Sequence, residues 1–313
     1  MQQQKLRIAL LAGGTSGERQ VSLNGAAQVE KALSTENYSV RRFDPATDLQ
    51  ALVAARDEID FAFIVLHGAQ GEDGTVQGLL DLLGIPHQGS GVLGSAVAMD
   101  KHLAKELYRQ AGLPVAEWEL LTAHDPDDCH QLSARLGLPV VVKPVREGSS
   151  LGMTIARTTA ELQAGIDIAM EHGREIIVEK YIRGRELTAG VVGNARLEAL
   201  PLIEIVPGKE FTFFDYNAKY QPGASQEICP APVSAELTAR AQDYAIRAHK
   251  ALRLRGYSRT DMMLDDDDNL YLLETNTIPG MTATSLLPQA AAEHGLAFPD
   301  LIVRLIELGL EKK

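Results

Sequence analysis

"GYSRTDMMLDDDDNLYLLETNTIPGMT", residues 256–282, sets two apolar runs on either side of a cluster of aspartates. That arrangement reads as a β-hairpin. A turn centred on Asp267 and Asp268 pairs Met263 with Leu272, Asp261 with Glu274, and Arg259 with Asn276. Residues two apart share a face of a strand, so Arg259, Asp261, Glu274 and Asn276 converge on one patch. Directly opposed carboxylates are destabilising unless something neutralises them. Mg²⁺ meets that need, because it takes hard oxygen ligands from one or two carboxylates and completes its shell with phosphate and water. Asp265 to Asp268 read instead as a solvated turn. An EF-hand beginning at Asp265 fails, since its sixth position is Leu270 and its twelfth Asn276.

Outward from the hairpin, "VVVKPVREGSSLGMTIA" (140–156) places Lys143 inside an apolar strand and follows it with Gly148, Ser149, Ser150 and Gly152. The spacing is neither GxxxxGK[ST] nor GxGxxG. A glycine-broken loop whose N–H groups cradle oxygens, beside an ammonium, suits a nucleoside triphosphate. Lys101, one residue past the helix N-cap Asp100, is a second candidate cation. "IIVEKYI" (176–182) leaves a core and offers a backbone edge to an adenine ring, or is a plain core strand. No base stands beside Ser150 in sequence, so a hydrogen-bonding role fits it better than a nucleophilic one.

The N-terminal third alternates strand, loop and helix: "LRIALL" (6–11), "AGGTSGE", a helix from about Ser22, then "FAFIVL" (61–66), "HGAQGEDG" and "TVQGLLDLL". The expected fold is α/β: a parallel sheet covered by helices, followed by a two-lobed α+β unit. Ligands of such sheets bind beyond the carboxyl ends of the strands, where Glu18 and His67 stand. The domains read as 1–99, 100–185 and 186–313. Residues 205–232 are rich in proline and glycine and read as a cover over the site or a disordered insert. Ser234 opens an amphipathic helix to about Leu254.

With 313 residues, 45% of them hydrophobic, the chain suits a globular protein of two or three domains. A net charge of −12 and no basic stripe argue against nucleic acid as partner. The apolar stretch at residues 6–11 is too short for a membrane span. Cys129 and Cys229 lack metal-ligand spacing, so a reducing cytoplasm is expected.

Six stretches, in order along nearly the whole chain, resemble the D-alanine–D-alanine ligase family of the ATP-grasp superfamily: "LLAGGTSGERQVSLNGA", "LHGAQGEDGTVQGLLDLLGIPHQGSG", "MDKHLAK", "VVVKPVREGSSLGM", "DYNAKY" and "LLETNTIPGMTATSLLPQAA". The resemblance implies a pre-ATP-grasp N-terminal domain and an ATP-grasp fold that binds ATP between two lobes. It also implies ligation of two D-alanines through an acyl phosphate for peptidoglycan synthesis, with two Mg²⁺ ions (or Mn²⁺) and a homodimeric assembly. By motif, Lys101 and Lys143 hold phosphates, and residues 179–182 (Glu179, Lys180, Ile182) meet the adenine. Glu186 meets the ribose, while Phe213, Met263 and Leu273 wall the base. Asp261, Glu274 and Asn276 are the metal ligands, the three residues that the register had brought together. Arg259 steadies the transferring phosphate or the tetrahedral intermediate. Glu18 grips the first D-alanine's ammonium with His67 near its carboxylate. Gly280, Ser285 and Leu286 take the second D-alanine. Glu18, Ser150 and Tyr220 match a hydrogen-bonded triad, with Lys219 reaching phosphate from the lid. Tyrosine rather than phenylalanine at 220 resembles the dipeptide-forming branch. Thr284 stands where relatives often carry His.

Three other readings compete. One keeps the fold and changes the acceptor to another D-amino acid or a D-hydroxy acid. Another is a non-catalytic nucleotide-binding module, which the full set of Lys, Asp, Glu and Asn argues against. A dinucleotide oxidoreductase is weaker still, since "AGGTSGE" lacks GxGxxG spacing.

Overall fold

In the computed structural model, residues 5–34, 37–122, 128–208 and 225–311 are described. Strand β1 (Leu6–Leu11) lies between β2 (Tyr38–Phe43) and β3 (Phe61–Ile64), both parallel to it. Ile8 and Leu10 enter one core, Ala9 and Leu11 another. A strand covered on both faces has no polar alternate positions, which is why residues 8–11 of "LRIALL" are continuously apolar, with Arg7 at the less buried start of the strand. Helices α1 (Arg19–Ala32), α2 (Leu49–Ala54), α3 (Thr75–Leu83) and α4 (Val92–Met99) complete this unit.

The sequence reading missed β2. It is an edge strand whose residues, Arg41 and Arg42 among them, are mostly accessible, so it carries no apolar run. The third strand also stops at Ile64, short of Leu66. Beyond it, the side-chain amide of Gln88 clasps both backbone groups of Ile64, at 2.9 and 2.6 Å. The segment "GIPHQGSG" thus closes the sheet edge.

The second unit is an antiparallel sheet of order β4-β7-β5-β6, from β4 (Trp118–Leu121), β5 (Val140–Pro144), β6 (Thr154–Ala156) and β7 (Ile176–Lys180). Helices α6 (Asp128–Leu136) and α7 (Thr159–His172) cover it around Val140, Val142, Leu162 and Ile166.

The third unit has the order β11-β10-β8-β12-β13, with β9 also on β8. Its strands are β8 (Arg185–Gly193), β9 (Leu197–Ala199), β10 (Ile203–Pro207), β11 (Ser225–Ile228), β12 (Gly256–Leu264) and β13 (Leu270–Asn276). Two of these strands enter the 205–232 range that the sequence marked as loop, and residues 209–224 lie outside the described ones.

Helix α5 (Lys101–Gln110) starts where expected: the Asp100 carboxylate accepts from the Leu103 N–H at 3.0 Å. It ends before Gly112, whose φ of +67° suits glycine. Its packing sets it apart from the rest of the 100–185 segment. Ala104 and Tyr108 share a core with Met262, Leu272 and Ala245 of the third unit. An amphipathic helix belongs with whatever covers its apolar stripe, so α5 joins the third unit although it precedes the second. Ser234 caps α8 (Ala235–Ala251), accepting from Leu237 N–H at 3.2 Å. Helices α9 (Leu286–Glu293) and α10 (Phe298–Leu310) return to the N-terminal sheet, where Leu301 and Leu305 meet Phe61 and Phe63.

Candidate active site

The β12–β13 hairpin carries the charge of the site. Asp261 faces Glu274 and Arg259 faces Asn276, as the register anticipated, but Met263 pairs with Tyr271 rather than Leu272. The ladder slips between Asp261 and Met262, so Leu273 is an extra residue, a β-bulge. Its consequence is local. Strict alternation would turn Leu273 away from the face of Glu274, whereas with the bulge Leu273, Glu274, Asp261 and Met263 line one cleft.

Three side chains hold the Asp261 carboxylate through four hydrogen bonds. Arg259 donates through Nε at 2.9 Å and Nη2 at 2.8 Å, Thr188 through its hydroxyl at 2.6 Å, and Asn276 through its amide at 3.1 Å. The Lys101 ammonium stands 3.5 Å from Glu274. Arg259 and Lys101 thus balance the two opposed carboxylates. Among the described residues no third acidic, His or Cys side chain joins Asp261 and Glu274 as a metal cluster. Two carboxylates and an amide fit a hard divalent cation that draws its other ligands from phosphate and water.

The first cleft, about 290 Å³, lies between the two sheets. Lys101, Lys143, Ser150, Glu179, Lys180, Ile182, Glu186, Asp261, Met263, Leu273 and Glu274 line it, which gathers every described residue assigned to ATP. Lys101 also donates to the Glu147 carbonyl at 2.6 Å, anchoring the glycine-rich loop. In that loop Ser149 and Ser150 both have positive φ, +49° and +58°. Such a conformation costs non-glycine residues on the order of 1 kcal/mol each and persists at ligand clamps. Glu179 is more than part of a backbone edge. Its carboxylate pairs with Lys143 at 2.5 Å and with Lys105 at 2.8 Å. Burial would raise this carboxyl's pKa, but Lys105 and Lys143 overcome that and bring it down to about 2.

A second cleft, about 320 Å³, adjoins the first and holds Glu18, His67, Arg259, Asn276, Gly280, Ser285 and Leu286. Ser149 donates to Glu18 at 2.5 Å, a bond the sequence reading had given to the adjacent Ser150. The sequence could not choose between adjacent serines, because the choice rests on the left-handed turn of the loop. Gly148 makes the approach possible, since a Cβ there would sit 3.2 Å from a Glu18 oxygen. His67 is buried; desolvation, together with Arg259, outweighs Glu18 and holds its pKa below the ordinary histidine value. Burial and the charge of Glu18 push the Glu72 carboxyl up to about 8. At the far end Ser285 precedes α9, and its hydroxyl shares a hydrogen bond with Thr282 at 2.8 Å. A Cβ at Gly280 would approach that hydroxyl to 2.9 Å. The two clefts share Lys101, Glu147, Gly148, Ser149 and Glu274. Phe213, Lys219 and Tyr220 lie outside the described residues.

Sequence reading missed Ser149, Lys105, Glu72 and Thr188. Lys105 carried a visible signal, for it follows Lys101 by one helical turn on an otherwise apolar face. Thr188 had none, since its strand reads as plain core.

Two family models match the chain: "D-ala D-ala ligase N-terminus" over residues 44–90 and "D-ala D-ala ligase C-terminus" over residues 107–307. A protein of Desulfotalea psychrophila named D-alanine–D-alanine ligase is 62% identical over 310 residues, 99% of this chain and 96% of that protein. The Bacillus anthracis D-alanine–D-alanine ligase crystallised with ATP superposes with a TM-score of 0.84 at 34% identity, covering 97% of each chain. The VanG D-Ala:D-Ser ligase of Enterococcus faecalis gives 0.85 at 32%, covering 98% of this chain and all of the other.

Proposed function

The chain belongs to the D-alanine–D-alanine ligase family, and from that premise we propose how its two clefts divide the ATP-dependent joining of two D-alanines. The product serves peptidoglycan synthesis. One observation carries the division: the clefts meet at Lys101, Gly148, Ser149 and Glu274. A phosphate held in one cleft can therefore reach a carboxylate held in the other.

ATP occupies the cleft between the sheets, with Lys101 and Lys143 on its phosphates, residues 179–182 and Glu186 on adenine and ribose, and Met263 and Leu273 against the base. Asp261, Glu274 and Asn276 are the ligands of the divalent metal, which we take to be Mg²⁺ in two ions, with Mn²⁺ as a substitute. When bound, the metal neutralises phosphate charge and favours transfer of the γ-phosphoryl group.

Glu18, oriented by Ser149, receives the ammonium of the first D-alanine, and neutral His67 lies near its carboxylate. That carboxylate attacks the γ-phosphorus; the new O–P bond forms as the bond to ADP breaks, giving an acyl phosphate. The second D-alanine is held at Gly280, Ser285 and Leu286, where the N-terminus of α9 favours its carboxylate. Its amine, after losing a proton, attacks the acyl carbon. Arg259 offsets charge on the tetrahedral intermediate, and phosphate leaves. Tyr220 and Lys219 belong to the proposed lid, which keeps water from the acyl phosphate. A homodimer in the cytoplasm is the assembly and place we propose; sedimentation of the purified chain tests the former.

The likeness to the VanG D-Ala:D-Ser ligase gives one specific reason to weigh another acceptor, D-serine, at the second position. Offering ATP with D-alanine alone, or with added D-serine or D-lactate, and identifying the products, separates the readings. D-alanyl-D-alanine as the main product from mixed acceptors supports the dipeptide reading; a mixed product as the main one replaces it.

A further inference from the structure

Lys105 is a fully buried lysine with a charged partner on another element. It sits on α5, one turn after Lys101, and its ammonium stands 2.8 Å from one oxygen of Glu179, which is only 3% exposed. The other Glu179 oxygen meets the Lys143 ammonium at 2.5 Å. Lys143 and Glu179 line the nucleotide cleft, whereas Lys105 is not among its lining residues. The indole of Trp118 lies beside Lys105, with the ammonium 5.5 Å from its ring centroid.

Burying an ammonium costs several kcal/mol unless its partner and geometry compensate. A surface lysine would have served α5 at no such cost, so the location calls for a role. α5 packs with the third unit, while Glu179 lies on β7 of the second. The pair therefore ties the two lobes together at the floor of the cleft. Without Lys105, Glu179 would be a buried carboxylate with one cationic partner and freedom to rotate.

We propose that Lys105 is a positioning residue of the nucleotide site: it anchors one oxygen of Glu179 from outside the cleft and so fixes the other on Lys143, holding that ammonium where ATP's phosphates arrive. This rests on the reading of the cleft as the ATP site. Lys105 touches no substrate and acts only through Glu179.

Steady-state kinetics of Lys105→Met, Glu179→Gln and the double variant test it, with Lys143→Met as reference and thermal unfolding of each. Lys105→Met raises the KM for ATP about tenfold and leaves both D-alanine KM values within about twofold. Added to Glu179→Gln, Lys105→Met costs no more than about a further twofold, since its route is already cut. Removing one partner of a buried ion pair can unfold a chain. If Lys105→Met does not fold, the double variant, which leaves no buried carboxylate against an absent cation, is compared with Glu179→Gln alone. Equality within about twofold supports the proposal, and a further tenfold loss overturns it. An unchanged ATP KM in a folded Lys105→Met overturns it too, as do parallel losses for ATP and D-alanine or multiplying effects of the two changes. If Lys143→Met leaves the ATP KM unchanged, the reading of the cleft itself fails, a separate result.

Discussion

The carboxylates of Asp261 and Glu274 stand on paired residues of β12 and β13, one step before the ladder between those strands slips. Opposed carboxylates at that point are balanced by Arg259 on one side and Lys101 on the other. The pairing explains why the hairpin carries charge where the rest of its inner face is apolar, and it makes Glu274 the first position to test.

Glu274→Gln keeps the size of the side chain and removes one metal-binding charge. Turnover is expected to fall on the order of 100-fold, in line with the loss of one electrostatic stabiliser of a transition state. The melting temperature should stay close to that of the parent. Near-normal turnover at saturating metal would remove Glu274 from the metal site.

Ser149 and Ser150 are distinguishable by substitution. The Ser149 hydroxyl donates to the charged Glu18, and such bonds contribute about 1.5–3 kcal/mol. Ser149→Ala should therefore raise the KM for the first D-alanine by about tenfold or more. Ser150→Ala should change it less. The reverse order would restore the assignment made from sequence.

The bulge separates two adjacent leucines. Leu272 is wholly buried in the core with Tyr108 and Met262, and Leu273 lines the nucleotide cleft. Leu272→Ala should cost about 2–5 kcal/mol of stability in urea unfolding, with ATP affinity little changed. Leu273→Ala should do the opposite. Equal stability losses for both would contradict the bulge.

Glu179 gives a pH dependence with a defined direction. Its folded pKa is about 2 against an ordinary value of 4.5, so the folded chain holds the carboxylate ionised more firmly than the unfolded chain does. The associated stability is fully present above the ordinary value and is lost as pH falls from about 4.5 towards 2. Urea midpoints across that window should drop less steeply in Glu179→Gln than in the parent. An identical slope would mean that the pair does not contribute.

Much of this was legible because the informative residues are local in sequence. Asp261, Glu274, Asn276 and Arg259 come from one hairpin, whose register follows from strand periodicity and a turn. Lys143 announced itself as a charge in an apolar strand. What stayed hidden depends on backbone detail or on distant partners. The bulge at Leu273 leaves no compositional trace, since the residue is the second of two adjacent leucines and nothing in their identity says which one is unpaired. The choice of Ser149 depends on two successive left-handed residues, and the clamp on Glu179 joins helix α5 to strand β7 from 74 positions apart. The strand β2 was missed because its alternation is short: Tyr38 and Val40 pack on the core and Ser39 and Arg41 are exposed, but the pattern breaks at Arg42 and no apolar run marks it.

The two clefts together serve one activity, the ATP-dependent joining of two D-alanines. Purified protein supplied with ATP, Mg²⁺ and D-alanine as the sole amino acid tests it in one measurement, by following ADP and dipeptide together. D-alanyl-D-alanine and ADP should form in equal amounts, with none of either when D-alanine is omitted. ADP-free mixtures, or ADP release without dipeptide, would contradict it.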